Sequence, residues 1–415
     1  MRSIHKRYRG RRWMKKLLIG TVVTPFRIIK DGGILIEGNR VLSVGSAGDF
    51  RDEQAERMNF DENFLLPGFV DIHVHGGGGK DTMDGSTESL RTIVETHAKG
   101  GTTSLLPTTL TAPMEDIKKV IKVVSEMMKE SEPIGSRILG VHLEGPYFSP
   151  EQAGAQNPEY LKNPSINEIK ELVEIENGIV KRVSLAPELP GALEVMRYLR
   201  KEGILVSIAH SNASYSDVVK AVEAGASHVT HIYSGMSTVR RIRSYRISGV
   251  IESALLMDEL TVEMIADGHH LPPSLMKLIL KCKGLGNVCA ITDAMPAAGL
   301  GPGRYSLGGL DVIVENDVPD EYEIKPPGFV AKLSNGQAFA GSSALMIDVF
   351  KVLVKITGLQ IQDASKLMSY NPARFVGVDH ERGSISAGKY ADIVVVDEDL
   401  NLLMTMVEGK IVFEK

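Results

Sequence analysis

Phe69-Val70-Asp71-Ile72-His73-Val74-His75-Gly76 is an apolar, strand-prone run that closes on two histidines in alternate positions. Residues two apart on a strand share a face, so both imidazoles can reach one ion. The pattern recurs downstream in Thr103–Leu106, Ile138–Leu143, Val180–Ala186, Ile204–Ala209, His228–Ile232, Thr261–Ala266 and Asn287–Thr292, which makes eight runs. Most of the gaps between them hold amphipathic stretches, such as Glu115–Lys129, Gly191–Lys201 and Ser216–Ala224. Alternation of strand and helix fits a doubly wound sheet as well as a barrel. The count of eight, with the polar residues at the run ends, selects an α/β fold of the (β/α)8 TIM-barrel type.

Those polar residues are His73 and His75 on the first run, Glu144 after the third, His210 after the fifth, His231 at the sixth and Asp293 after the eighth. All lie at C-terminal strand ends, the face on which barrel enzymes build their sites. A single histidine at a strand end is ordinarily a hydrogen-bonded structural residue, and a lone aspartate there can cap a turn. Six such residues on five strands read differently, because burying four imidazoles and two carboxylates together without an ion is costly. Nitrogen and carboxylate ligands without thiolate suit Zn, Fe, Co or Mn, one or two ions per chain. Asp293 is the candidate proton carrier. His142 and His228 fall near this set, and supporting or structural roles are expected for both.

Outside the barrel runs, 15–65 and 385–415 read as short strands, which predicts a small β-sandwich domain from both chain ends. The expected division is 1–13 as a basic, disordered tail, 14–66 with 373–415 as the small domain, and 67–372 as the barrel. A net charge of -5 argues against a nucleic-acid partner, and no stretch is apolar for long enough to span a membrane. Cys282 and Cys289 are the two cysteines, which favours a reducing, cytoplasmic setting over a disulfide framework.

Taken together, the segments Pro67–Gly77, His142–Phe148 with Gly154-Ala155-Gln156, Thr230–Tyr233, Ile265–His270, Ile291–Met295, Ala340–Ser342 and Asn371–Ala373 resemble the N-acetylglucosamine-6-phosphate deacetylases of the amidohydrolase superfamily. The resemblance runs from about Met14 to the end. It implies a metal-dependent barrel hydrolase that removes the acetyl group of an amino-sugar phosphate, working as a cytoplasmic homodimer. It assigns Glu144, His210 and His231 as principal metal ligands and Asp293 as catalytic acid and base. His73 and His75 match the members that keep both strand-one histidines and bind two metals. For the substrate it implies Ala155, Gln156, Ser234, Gly235 and Arg246, together with His270 reaching the sugar phosphate across the dimer interface.

The chain departs from the family after His231. After the strand-six histidine the family has Asn, a small or polar residue and Met; here the stretch is Tyr233-Ser234-Gly235-Met236 without the Asn, and a longer loop carries Arg240, Arg241 and Arg243 ahead of Arg246. This keeps N-acetylgalactosamine 6-phosphate, or an unphosphorylated N-acetyl sugar, as alternative substrates. Another amidohydrolase acting on an N-acyl substrate would retain the metal chemistry and change the pocket. A non-catalytic descendant would have shed ligands, and none is missing here.

Overall fold

A computed structural model describes residues 15–415. The tail expected over 1–13, and Met14, lie outside the described residues. Eight parallel strands form the centre: Phe69–Val74, Thr102–Pro107, Val141–Glu144, Val180–Leu185, Leu205–Ile208, His228–Val229, Thr261–Ile265 and Val288–Ile291. They are numbered first to eighth below. The third to eighth pair in sequence order as one six-stranded sheet, and the first pairs with the second. Backbone bridges link the two pieces at their C-terminal ends, Thr108 with His142 and Val74 with Ala294. The wall therefore meets itself on the side where the polar residues lie.

Helices sheathe this wall because their apolar residues recur every three to four positions. Met114–Met128 buries Ile117, Val120, Ile121 and Val124, and Ala192–Lys201 buries Val195, Met196 and Leu199. The largest apolar cluster forms between strands and helices, with Leu105, Val183 and Val206 from the wall and Ile121, Val195 and Leu199 from the helices.

Both chain ends join a single seven-stranded sheet, in the order Lys410–Glu414, Leu402–Val407, Ile393–Val396, Glu56–Pro67, Lys15–Val23, Ile28–Glu37, Arg40–Ser46. A sandwich of two facing sheets was expected; among the described residues one sheet serves. Alternation explains how. Ile393, Val395 and Leu65 face a small core of their own, whereas Val394, Val396 and Leu66 enter the barrel's main cluster. The barrel helices stand where a second sheet would.

Two features differ from the sequence reading. The sixth strand is two residues long, because His231 and Tyr233 take positive φ angles of 26 and 81° and end the ladder. A four-stranded antiparallel sheet follows the eighth strand, built from Gly303–Leu307, Leu310–Glu315, Val330–Leu333 and Phe339–Ser342. Its Gly308-Gly309 turn between two apolar runs was a legible hairpin signal. Among the described residues, no helix is long and apolar enough to cross a membrane.

Candidate active site

The strand ends bring all six expected residues into one cluster, each at most 7% exposed. His73 Nε2 and His75 Nε2 are 3.1 Å apart. Asp293 Oδ1 lies 3.3 Å from the first and 3.2 Å from the second. Glu144 divides its two oxygens: Oε2 is 3.1 Å from His75 Nε2 and 3.5 Å from His73 Nε2. Oε1 is 2.9 Å from His231 Nε2 and 3.4 Å from His210 Nε2. One carboxylate thus bridges a strand-one half and a half built from the fifth and sixth strands.

These residues fit a divalent metal on three counts. At metal–ligand distances near 2.1 Å, neighbouring ligand atoms stand about 3.0–3.4 Å apart, which is the spacing found. The rings are also turned the right way. Nδ1 of His73 faces Glu263 Oε1 at 2.8 Å, that of His210 faces Gln152 O at 2.8 Å, and that of His75 faces Thr108 O at 3.3 Å. An acceptor at Nδ1 places the proton there and leaves the Nε2 lone pair for the centre. Finally, the centre lacks positive charge. Burial opposes protonation of His73, yet Asp293, Glu144 and Glu263 raise its pKa well above the ordinary value. His75 is likewise raised to about 9 against burial, by Asp293 and Glu144. Burial alone would raise Glu144, but the imidazoles, His73 foremost, hold it well below the usual carboxylate range. Protons alone would have to supply what a divalent ion supplies in their place.

Three of the six leave their strands in left-handed backbone: His210, His231 and Asp293 have φ of 43, 26 and 52°. For non-glycine residues this costs about 1–3 kcal/mol each and is typical of functional sites. At His231 it also lets adjacent positions share a face. Thr230 and His228 point inward with the regular two-residue step, to Arg182 and Glu263, and the turn at His231 then brings a third side chain inward. Strict alternation would have put His228 on the opposite face.

Above the cluster lies a cavity of about 250 Å3. Ala155, Gln156, Ser234, Gly235 and His270 line it as expected. Gln156 is committed locally: it accepts from Thr111 N and donates to Glu144 Oε2 at 3.1 Å. Gly235, at φ 57°, lies so close to His210 that a Cβ would sit 2.7 Å from its Nδ1, so this position admits only glycine. His270 is the surprise. It lines the cavity of its own chain, its Nδ1 2.8 Å from Asp267 Oδ2, where the resemblance implied a reach across a dimer interface. Burial opposes its charge, and Asp267 raises its pKa in spite of this. Arg246 also departs. It is exposed on the hairpin Arg240–Ile242/Tyr245–Ile247, bonded to Ser244 O, and does not line this cavity. Tyr233 lines the cavity beside Ser234 and Gly235, and Phe339 arrives from the inserted sheet, 4.8 Å from the His270 ring.

The sequence reading missed the layer beneath. Glu263 and Arg182, both 0% exposed, form a double ion pair at 2.6 and 2.9 Å. A charged residue at a strand's interior position is almost never fully buried unless paired, and that was the available signal.

The amidohydrolase family profile matches residues 64–412. The N-acetylglucosamine-6-phosphate deacetylase of Bacillus subtilis is 35% identical over 394 residues, covering 94% of this chain and 95% of the relative. The N-acetylgalactosamine-6-phosphate deacetylase of Escherichia coli O157:H7 is 34% identical, with 85 and 88% covered. Among solved structures, a mutant N-acetyl-D-glucosamine-6-phosphate deacetylase of Mycobacterium smegmatis, in complex with N-acetyl-D-glucosamine-6-phosphate, superposes with a TM-score of 0.86. It is 31% identical, with 96 and 99% covered. The fold and the strand-end cluster define a metal-dependent hydrolase. The chain belongs to the amidohydrolase family and, within it, to the N-acetylglucosamine-6-phosphate deacetylases.

Proposed function

We infer that this chain hydrolyses the acetamido group of N-acetylglucosamine 6-phosphate, releasing acetate and glucosamine 6-phosphate. The observation that carries the reading is the convergence of four Nε2 atoms and two carboxylates at the foot of a sugar-sized cavity that also holds His270. We assign His73, His75, Glu144, His210 and His231 as the residues that would hold one or two divalent transition-metal ions, Glu144 turning one oxygen to each half of the cluster. Such ions supply Lewis acidity, polarising the acetamido carbonyl and acidifying water. Asp293 is the general base that takes a proton from the attacking water and, as the C–N bond breaks, returns it to the leaving nitrogen. Gln156 holds Glu144 in place. His270, kept cationic by Asp267, faces the substrate's phosphate, and Ser234 and Gly235 shape the wall beside it.

We further propose a cytoplasmic homodimer that uses the Arg240–Ile247 hairpin. Val239, Ile242 and Tyr245 are 48, 49 and 76% exposed there, and Arg246 can meet a phosphate only in a neighbouring copy. Free Cys282 and Cys289 suit a reducing compartment.

Acetate release by the ion-loaded protein tests the function, with N-acetylglucosamine, its 6-phosphate and N-acetylgalactosamine 6-phosphate compared by kcat/KM. The glucosamine phosphate should lead. No turnover of any of the three overturns the reading. Preference for the galacto epimer would move it to the second reading, which the E. coli relative favours.

A further inference from the structure

The Glu263 carboxylate touches both halves of the metal cluster without belonging to either. Its Oε1 accepts from His73 Nδ1 at 2.8 Å and from the backbone N–H of His231 at 3.1 Å. Arg182 grips both oxygens, at 2.6 Å on Oε2 and 2.9 Å on Oε1. The guanidinium is fixed in turn by the hydroxyls of Thr230 and Ser207, at 2.6 and 3.3 Å. Every member is fully buried. His228, Glu263 and Cys289 also converge closely enough to suggest a third metal position. Arg182 already neutralises Glu263 there, so an added dication would meet a fixed positive charge.

We propose that Glu263, held by Arg182, is a positioning residue for the metal centre: it fixes the proton of His73 on Nδ1 and braces the left-handed backbone of His231. The inference rests on the reading of His73 as a ligand. A carboxylate at Nδ1 sets the ring's tautomer and orientation and strengthens Nε2 as a donor, and loss of such a partner typically costs about 10–100-fold in metal affinity. Stability alone gives no reason for the pair, because a buried ion pair can often be replaced by apolar residues at no loss. Glu263 is also the one acceptor within hydrogen-bond distance of both a His73 ring nitrogen and the His231 backbone.

The test follows ion affinity by competition with a chelator, beside melting curves of the ion-free protein. His73→Ala identifies the ion that depends on this ring. Glu263→Asp keeps the charge for Arg182 but withdraws the acceptor from Nδ1, and it should weaken that ion about 10–100-fold. Arg182→Met/Glu263→Leu removes the whole brace at neutral charge and should weaken the same ion equally while leaving the ion-free melting temperature near wild type. Zinc-loaded wild type should also show a slowly exchanging ring N–H resonance in proton NMR that His73→Ala lacks, a readout that needs no Glu263 variant to fold. Wild-type ion affinity in either folded Glu263 variant, or absence of that resonance, overturns the brace alone. An unchanged ion set in His73→Ala overturns the ligand reading, and the inference with it.

Discussion

Two buried layers of the barrel interior hold much the same chemistry and resolve it in opposite ways. The lower has Glu263 with His228 and a set of hydroxyls, and Arg182 cancels its carboxylate outright. The upper has Glu144 and Asp293 with four imidazoles, and its short contacts include no lysine or arginine. Both look like metal sites when only ligand types and spacing are considered, with Cys289 completing the lower set. The difference lies in the fixed cation. Where the chain supplies its own, the layer is finished. Where it does not, the carboxylates pull His73 and His75 above the ordinary histidine pKa, and a metal is the cheaper source of charge.

The largest effect should come from the upper layer's free carboxylate. Asp293→Asn keeps the shape but cannot carry the proton, so kcat should fall by roughly 10²–10⁴ with KM little changed. A fall of less than about fivefold would give the proton transfers to another group.

The contrast itself breaks if the two layers respond alike to losing a charge. Arg182→Met strands an ionised Glu263 and should cost about 3–5 kcal/mol in both chelated and ion-loaded protein, measured by denaturant titration. Glu144→Ala should lower stability only in the loaded protein, because in the chelated form it removes a charge that had no fixed partner. Equal losses with and without ions for both variants would erase the distinction.

His270 sharpens the comparison from a third position, as a histidine whose cationic form is held by one carboxylate. Asp267 is itself held down to about 2, against burial, by His270. Because Asp267 raises the His270 pKa, the ring's charge persists as pH climbs past the ordinary histidine value near 6.5 and is lost only above the raised value. In Asp267→Asn burial is opposed only by the weaker pull of Asp293, and the charge should be lost at a lower pH than in the wild type. KM for the phosphorylated sugar should then climb several-fold between about pH 6 and 8 in the variant while the wild type stays flatter. Parallel profiles would take His270 away from the phosphate. Arg246→Ala should raise KM for the phosphorylated sugar by an amount worth about 1.5–3 kcal/mol and leave the unphosphorylated sugar unaffected, and an unchanged KM would take Arg246 away from the phosphate.

The six cluster residues were legible because strand periodicity and strand ends are local properties, readable along the chain. Contacts between strands distant in sequence were not. Arg182 and Glu263 stand 81 residues apart, and only the closed wall makes them a pair. The same limit hid which chain's cavity His270 and Arg246 serve, since register with a family motif says nothing about which cavity a side chain faces. The inserted sheet was missed for a different reason. Its Gly308-Gly309 turn was plain in the sequence, but a count that ended at eight strands left no place for it. That His228 and His231 face the same interior was not legible, because alternation presumes a strand that continues, and this one stops.

That stop has a consequence for anyone moving the site to another scaffold. At His210, His231 and Asp293 the chain reverses its handedness at the very residue that carries the side chain. A design that copies six identities onto uninterrupted strands would aim three of them wrongly, however well the remaining geometry matched. The portable unit is a side chain together with the backbone reversal at its own Cα, and a donor barrel should be chosen by where its ladders end rather than by how closely its strands superpose.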